Sequence, residues 1–249
     1  NDEKEPLLRT GNFKEDTPII YIGVGLTFGI LIFLLMSRFR RFREYIGRAI
    51  FRPYNFYSDI RDQRILSTFQ TLALGIAIAG TAAIILSSVF YYYRASEGTE
   101  YLFMLLIPNA FRSILDTALW SPAYSLLLFT FIVFINILII AVIIRMAAFF
   151  VRSRIFYSDA LTIVIWSILP ILMLLPIAMG LFKILTISSS HWLLLTIMGA
   201  VVVWCATRTL EATAVVFDLP KARVYLIGVG IIIILLGGSI LFMNYRSGL

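Results

Sequence analysis

The chemistry most concentrated in this sequence is that of arginine. Arg38, Arg40, Arg41, Arg43, Arg48 and Arg52 follow the first apolar block, and Phe39, Phe42, Ile46, Ala49 and Ile50 fall among them at helical spacing. A guanidinium is permanently charged and presents a planar fork of N–H donors to phosphate or carboxylate. Arginines on one face of a helix with aromatic and aliphatic residues on the other suit the surface of a bilayer, where cations meet anionic lipid headgroups. These residues are the expected lipid or partner interface.

Catalytic chemistry is hard to assemble from the rest. Only 14% of the 249 residues are charged, and the chain has one histidine, His191, and one cysteine, Cys205. A lone cysteine excludes a disulfide within the chain, and its apolar surroundings suit a small packing residue. A lone histidine excludes a multi-histidine metal site; beside Trp192 it suits a membrane interface. No P-loop, H-E-x-x-H or G-x-S-x-G motif occurs. The chain is therefore expected to be non-enzymatic, with no cofactor and no metal.

The elements that carry these residues follow from hydropathy. Hydrophobic residues make up 60% of the chain and come in blocks of about 20, the length that crosses a hydrocarbon core as a helix. The expected fold is all-α, a polytopic membrane helix bundle with about six spans, near 18–36, 66–93, 123–144, 160–182, 192–207 and 224–242. Arg61 and Arg64 join the first basic loop, Arg145, Arg152 and Arg154 follow the third span, and Arg208, Lys221 and Arg223 follow the fifth. The intervening loops carry fewer: Arg94 and Arg112, then Lys183. Basic loops stay cytoplasmic, so a multi-pass protein of the cell (inner) membrane with both termini extracytoplasmic is expected. This topology accounts for the net charge of +7 without nucleic acid as a partner.

Four regions result: a polar extracytoplasmic segment at 1–17, an N-terminal span at 18–36, a basic amphipathic linker at 37–65, and a five-helix membrane domain at 66–249. The chain begins with Asn1, and acids precede its first apolar block, so a fragment or mature chain with a missing upstream part is expected. Asn109 is positioned to cap a short outer helix, with Phe111, Ile114, Leu115 and Ala118 on one face and Arg112 and Asp116 on the other.

Small residues mark the packing faces. Gly75, Ala79, Ala83 and Ser87 recur at i, i+4 spacing in the second span, with Gly25 and Gly29 in the first and Gly228, Gly230, Gly237 and Gly238 in the sixth. Small residues let helix backbones approach in lipid. The second span is expected to bury this face against the sixth or the first, leaving Ile78 and Ile85 on a tolerant opposite face. Pro170 and Pro176 should kink the fourth span. The strongest polar residue in mid-membrane is Asn136, and the lack of carboxylates there argues against an ion-coupled pump. Phe56-Tyr57-Ser58-Asp59 recurs as Phe156-Tyr157-Ser158-Asp159, read first as repeated capping chemistry and second as a duplicated hairpin.

The last basic segment supplies a candidate partner loop: Arg208, Glu211, Phe217, Asp218 and Pro220. It loosely resembles the Glu-Ala-Ala coupling loop of ABC importer permeases, without its glycine. Ala214-Val215-Val216-Phe217-Asp218-Leu219-Pro220-Lys221-Ala222-Arg223 and the lead-in Phe51-Arg52-Pro53-Tyr54-Asn55-Phe56-Tyr57 resemble the bacterial Yip-domain family. That resemblance covers about residues 50–245 and implies five membrane helices behind a cytoplasmic lead-in. Eukaryotic members bind Rab-type GTPases, but their Asp-Leu-Tyr-Gly-Pro motif does not occur here, and an extra helix precedes the domain. The function expected is a non-enzymatic membrane scaffold or accessory subunit that meets other membrane-complex subunits. The alternative is a transport component, as a permease-like subunit or small-molecule channel.

Overall fold

The computed structural model describes residues 18–62, 67–96, 98, 109–151, 155–187 and 191–247. The polar segment 1–17 and Arg64, Arg152 and Arg154 lie outside the described residues, as do the side chains of Phe111, Arg112 and Asp116. Among the described residues the regular elements are helices, and no strand occurs. They are α1 (Ile19–Arg38), α2 (Arg40–Phe51), α3 (Pro53–Arg61), α4 (Thr68–Tyr93), α5 (Asn109–Trp120), α6 (Pro122–Phe150), α7 (Tyr157–Ser167), α8 (Pro170–Met173), α9 (Leu175–Ile187), α10 (His191–Val216) and α11 (Lys221–Ser247).

Four helices are long and apolar enough to cross a membrane: Ile19–Arg38, Thr68–Tyr93, Pro122–Phe149 and His191–Val216. Tyr157–Met173 and Leu175–Ile187, bent by 50°, make a fifth if the pair is one span. This is the architecture of a multi-pass membrane protein.

Helix α4 is the axis of the bundle. Its most apolar stretch is 67% buried, against 22% for α1 and α6 and 11% for α10. The composition explains this: Gly75, Ala77, Ala79, Gly80 and Ala83 keep the helix thin, so α1, α6, α7 and α9 all pack on it. A Cβ on Gly75 would lie 2.7 Å from Ile165 Cδ1 of α7, and one on Gly80 would meet the ring of Phe28 of α1. Ala79 and Ala83 are fully buried.

The packing partners differ from expectation in two ways. Helix α11 is not a substantial neighbour of α4; its main contact is α10, where Gly228 faces Leu210. Gly230 and Gly238 have no neighbour within 4 Å among the described residues. Nor is the face of α4 opposite the small residues tolerant, because Ile78 is fully buried and Ile85 nearly so. Neighbours cover α4 on both of these faces, and its exposed surface is left to positions such as Phe69 and Ile76. From α1, Gly25 meets Met179 of α9 and approaches Ile84 of α4, and Gly29 lies near Leu175 of α9.

The fourth predicted span is broken rather than kinked. Pro170 opens α8 and Pro176 occupies the second position of α9. Each proline sits in a first turn, where its missing N–H costs little, and the chain bends between them at Leu174.

The two tetrapeptide copies are structurally unlike. Phe56 and Tyr57 are buried in the interior of α3, so that copy caps nothing. In the second copy the Phe156 N–H donates to Asp159 Oδ2 at 3.0 Å, closing the first turn of α7, and both aromatic rings are exposed. Helix α4 packs along α6, and α10 packs on α7 and α8 of the broken fourth span.

Candidate functional site

The site is built where α1 ends. Phe39 adopts an extended conformation (φ −117°, ψ 98°) that breaks the helix, and α2 restarts at Arg40. A second break at Arg52 (φ −137°, ψ 61°) precedes Pro53, which opens α3. The α2–α3 elbow therefore folds back over the ends of α7 and α10.

All six arginines of the interface, Arg38, Arg40, Arg41, Arg43, Arg48 and Arg52, are exposed. The apolar face is where the structure departs from expectation. Phe42 and Ala49 are completely buried and Ile46 and Ile50 are partly so, which leaves Phe39 as the exposed aromatic among them. Phe42 meets the edge of Trp166 in α7 with ring centroids 5.7 Å apart, and Phe56 lies 4.9 Å from the same ring. The face expected to meet lipid thus meets the chain's own core. Trp166 offers a rigid apolar ring and a hydrogen-bond donor whose Nε1–H reaches Thr71 Oγ1 at 3.4 Å.

Polar contacts lock the elbow. Tyr57 Oη lies 3.0 Å from Ser167 Oγ, and Ser167 donates to the Ile163 carbonyl at 2.6 Å, so the phenol donates to the serine. Burial pushes the Tyr57 phenol above its ordinary value, while its bond to Ser167 and the nearby Arg208 guanidinium oppose that shift. Arg208 is buried and donates through Nη2 to the carbonyl of Ala49; its Nε has no partner among the described residues. At the surface, Arg48 pairs with Asp59 at 3.2 Å and Arg61 with Asp218 at 3.5 Å.

Most of the candidate partner loop belongs to this internal framework. Arg208 and Phe217 are buried, and Glu211 is engaged by Lys221 at 3.2 Å. Asp218 and Pro220 are the exposed members. Helix α10 runs to Val216, well past the expected end near 207, which draws Arg208 into a helix rather than a loop. Asp218 stops it in a left-handed conformation (φ 53°), with Leu219 N–H bonded to Ala214 O and Asp218 N–H to Val215 O. That is the Schellman arrangement, with aspartate where glycine is usual.

At the α1–α2 break is an open cavity of about 330 Å³, lined by Arg38, Phe39, Arg40, Arg41, Tyr45, Ser67 and Gln70. Ser67 and Gln70 are illegible in the sequence as part of this site because they come from the start of α4, and Tyr45 of α2 carries no charge to mark it. At the other end of the bundle, Tyr21 Oη donates to Ser87 Oγ at 2.9 Å and Ser87 to Ser125 Oγ at 2.8 Å. Ser87 therefore serves a hydrogen-bond chain rather than close backbone approach. His191 meets the Leu185 carbonyl through Nε2 at 2.9 Å and Tyr93 Oη through Nδ1 at 3.0 Å. Because a carbonyl only accepts, Nε2 carries a proton, and in the neutral ring Tyr93 donates to Nδ1. Among the described residues no three His, Cys, Asp or Glu side chains gather closely enough to hold a metal ion.

Asn136 lies at the middle of α6 on its exposed face. Its Nδ2 donates to the Ile132 carbonyl one turn back at 2.9 Å. Its amide oxygen and second N–H have no other hydrogen bond among the described residues. Ile132, Ile139, Ile143 and Met146, spaced around it as i−4, i+3, i+7 and i+10, are exposed on the same stripe.

The chain matches no protein-family model, no curated protein and no solved structure.

Proposed function

We propose that this chain is a non-enzymatic membrane scaffold or accessory subunit that assembles with other membrane-complex subunits, with α6 as the assembly helix. The observation that carries the reading is Asn136 at the centre of an exposed apolar seam. The spacing Ile132, Asn136, Ile139, Ile143, Met146 alternates four and three, the seam of a left-handed helix pair. An amide with unmet hydrogen-bonding capacity is costly in hydrocarbon and favours a helix that offers a polar side chain at the same depth. In this reading α11 is the sixth span, the basic loops are cytoplasmic, both termini are extracytoplasmic, and the five later spans form a Yip-like domain. Its support is the apolar 27-residue length of α11 and the residues that resemble that family.

The test is crosslinking in native membranes, with cysteine placed at Ile139 or Ile143 in a Cys205→Ser background, followed by purification and identification of the attached chain. A discrete crosslinked subunit is expected. Replacing Asn136 with Leu should lower its yield roughly 5- to 30-fold, the worth of an interhelical hydrogen bond in lipid. No crosslinked chain, or the same yield after Asn136→Leu, overturns the reading.

A transport component is the second reading, and the broken α7–α9 segment is what favours it. Pro170 cannot donate to the Trp166 carbonyl one turn back, and a freed carbonyl is the kind of group that lines a solute path. Trp166, Ser167 and Pro170 are buried, however, so the break is closed by its own neighbours. Stoichiometric co-purification of a nucleotide-binding ATPase would favour transport over the scaffold.

A further inference from the structure

We infer that the cavity at the α1–α2 elbow is a binding site for the headgroup of an anionic phospholipid that lacks an amine. The site does not rest on the α6 seam and stands or falls separately. Three kinds of group converge there. Arg38 and Arg41 come from either side of the Phe39 break and have no ion-pair partner among the described residues; Arg40 shares its charge with Glu44 at 3.2 Å. Ser67 and Gln70 come from the start of α4. Ser67 makes no side-chain cap bond, so the first N–H groups of α4 remain available, at the positive end of the helix dipole. Tyr45 and Ser67 add hydroxyls that can meet glycerol or phosphate oxygens.

The depth identifies the source of the phosphate. The cavity lies where α1 ends and α4 begins, and both helices are long and apolar enough to cross the membrane. Lipid phosphates lie at this boundary, and basic pockets between membrane helices hold anionic headgroups there. A volume of about 330 Å³ is at the small end for ligand pockets, enough for a headgroup with its acyl chains outside. The lining also sets selectivity. It contains arginines and neutral donors but no carboxylate, and the nearby Glu44 is occupied by Arg40. An ethanolamine or choline headgroup would bring a second cation among arginines with nothing to receive it. A phosphatidylglycerol headgroup brings only the phosphodiester charge and hydroxyls.

Native mass spectrometry of the purified full chain in detergent tests this, with phosphatidylglycerol and phosphatidylcholine as probes. The wild type should retain a phosphatidylglycerol molecule and no phosphatidylcholine. Arg38→Gln with Arg41→Gln should weaken retention about 30-fold, from two cations near an anionic group. Arg145→Gln with Arg223→Gln removes the same charge from exposed positions outside the cavity and should retain the lipid. Gln70→Glu, which puts a carboxylate into the site while sparing the arginines, should also expel it. Equal retention by both double variants makes the attraction a general surface effect and overturns the site. So does equal binding of phosphatidylcholine. Displacement by millimolar inorganic phosphate would make it a soluble-anion site and overturn the lipid assignment.

Discussion

Arg208 donates to the carbonyl of Ala49, the acceptor that Pro53 leaves without its helical donor. In a continuing helix the N–H four residues on would bond to that oxygen, and proline has none. The guanidinium of a distant helix supplies the missing hydrogen and ties α10 to the α2–α3 elbow. A charged hydrogen bond of this kind contributes about 1.5–3 kcal/mol, so Arg208→Leu should destabilise the protein by that order. Pro53→Ala restores an N–H to the site, and Arg208→Leu should cost less in that background. Unfolding of the four variants in detergent gives the coupling energy directly. Additive effects would show that Arg208 does not act through Ala49.

Glycines 75 and 80 should differ when a methyl group is added. Gly75 faces the Cδ1 end of Ile165, which can swing aside, and alanine gains helix propensity of about 1 kcal/mol over glycine. Gly75→Ala should therefore be close to neutral. Gly80 meets three atoms of the rigid Phe28 ring, so the whole ring must shift, and Gly80→Ala should cost about 1–3 kcal/mol. Thermal melting in a single detergent ranks them; the reverse order would show that α1 yields more easily than α7.

Ile78→Ala tests the central placement of α4. Ile78 is fully buried in the core shared with Trp166 and Phe42, so truncation should cost about 2–5 kcal/mol. The same change at Ile139 of α6, which is 49% exposed, should have little effect on the isolated chain. Equal losses at the two positions would contradict the central placement of α4.

The Tyr21–Ser87–Ser125 chain should behave as a unit. Tyr21 and Ser87 are fully buried and Ser125 nearly so, and the three side chains come from α1, α4 and α6. Ser87→Ala interrupts both bonds and strands the Tyr21 hydroxyl, at about 1–3 kcal/mol for the buried donor left unmet. Tyr21→Phe should then add almost nothing on top. A double-variant cycle that returns no coupling would show that water replaces Ser87.

Asp218→Gly should be tolerated and Asp218→Val should not. The left-handed φ of 53° costs a β-branched residue more than about 1 kcal/mol, whereas glycine adopts it freely. The lost pair with Arg61 is exposed and worth at most about 1 kcal/mol. The measurement is the unfolding midpoint of both variants, and equal midpoints would mean that the α10 stop is not held by its backbone conformation.

Sequence alone determined that the chain is a helical membrane protein. Blocks such as 18–36 and 66–93 are too long and too apolar for another use, and their length reports on the bilayer whatever they pack against. It also placed arginine on an amphipathic segment after the first span, because helical periodicity is local. It did not determine which environment meets which face. An apolar face on α2 reads the same whether it covers lipid or Trp166, since hydrocarbon and a protein core are equally apolar; only the fold put Phe42 inside. Small residues at i, i+4 spacing marked α4 as a close-packing helix but not its partners, because Gly75 and Gly238 look alike in sequence while one faces Ile165 and the other has no neighbour within 4 Å among the described residues. The missing N–H of Pro53 was legible as a vacancy, but its donor lies 155 positions away, at Arg208. The cavity likewise joins Arg38 and Arg41 to Ser67 and Gln70 across a turn. Local pattern specifies each helix and its two faces; tertiary packing chooses the neighbour for each face.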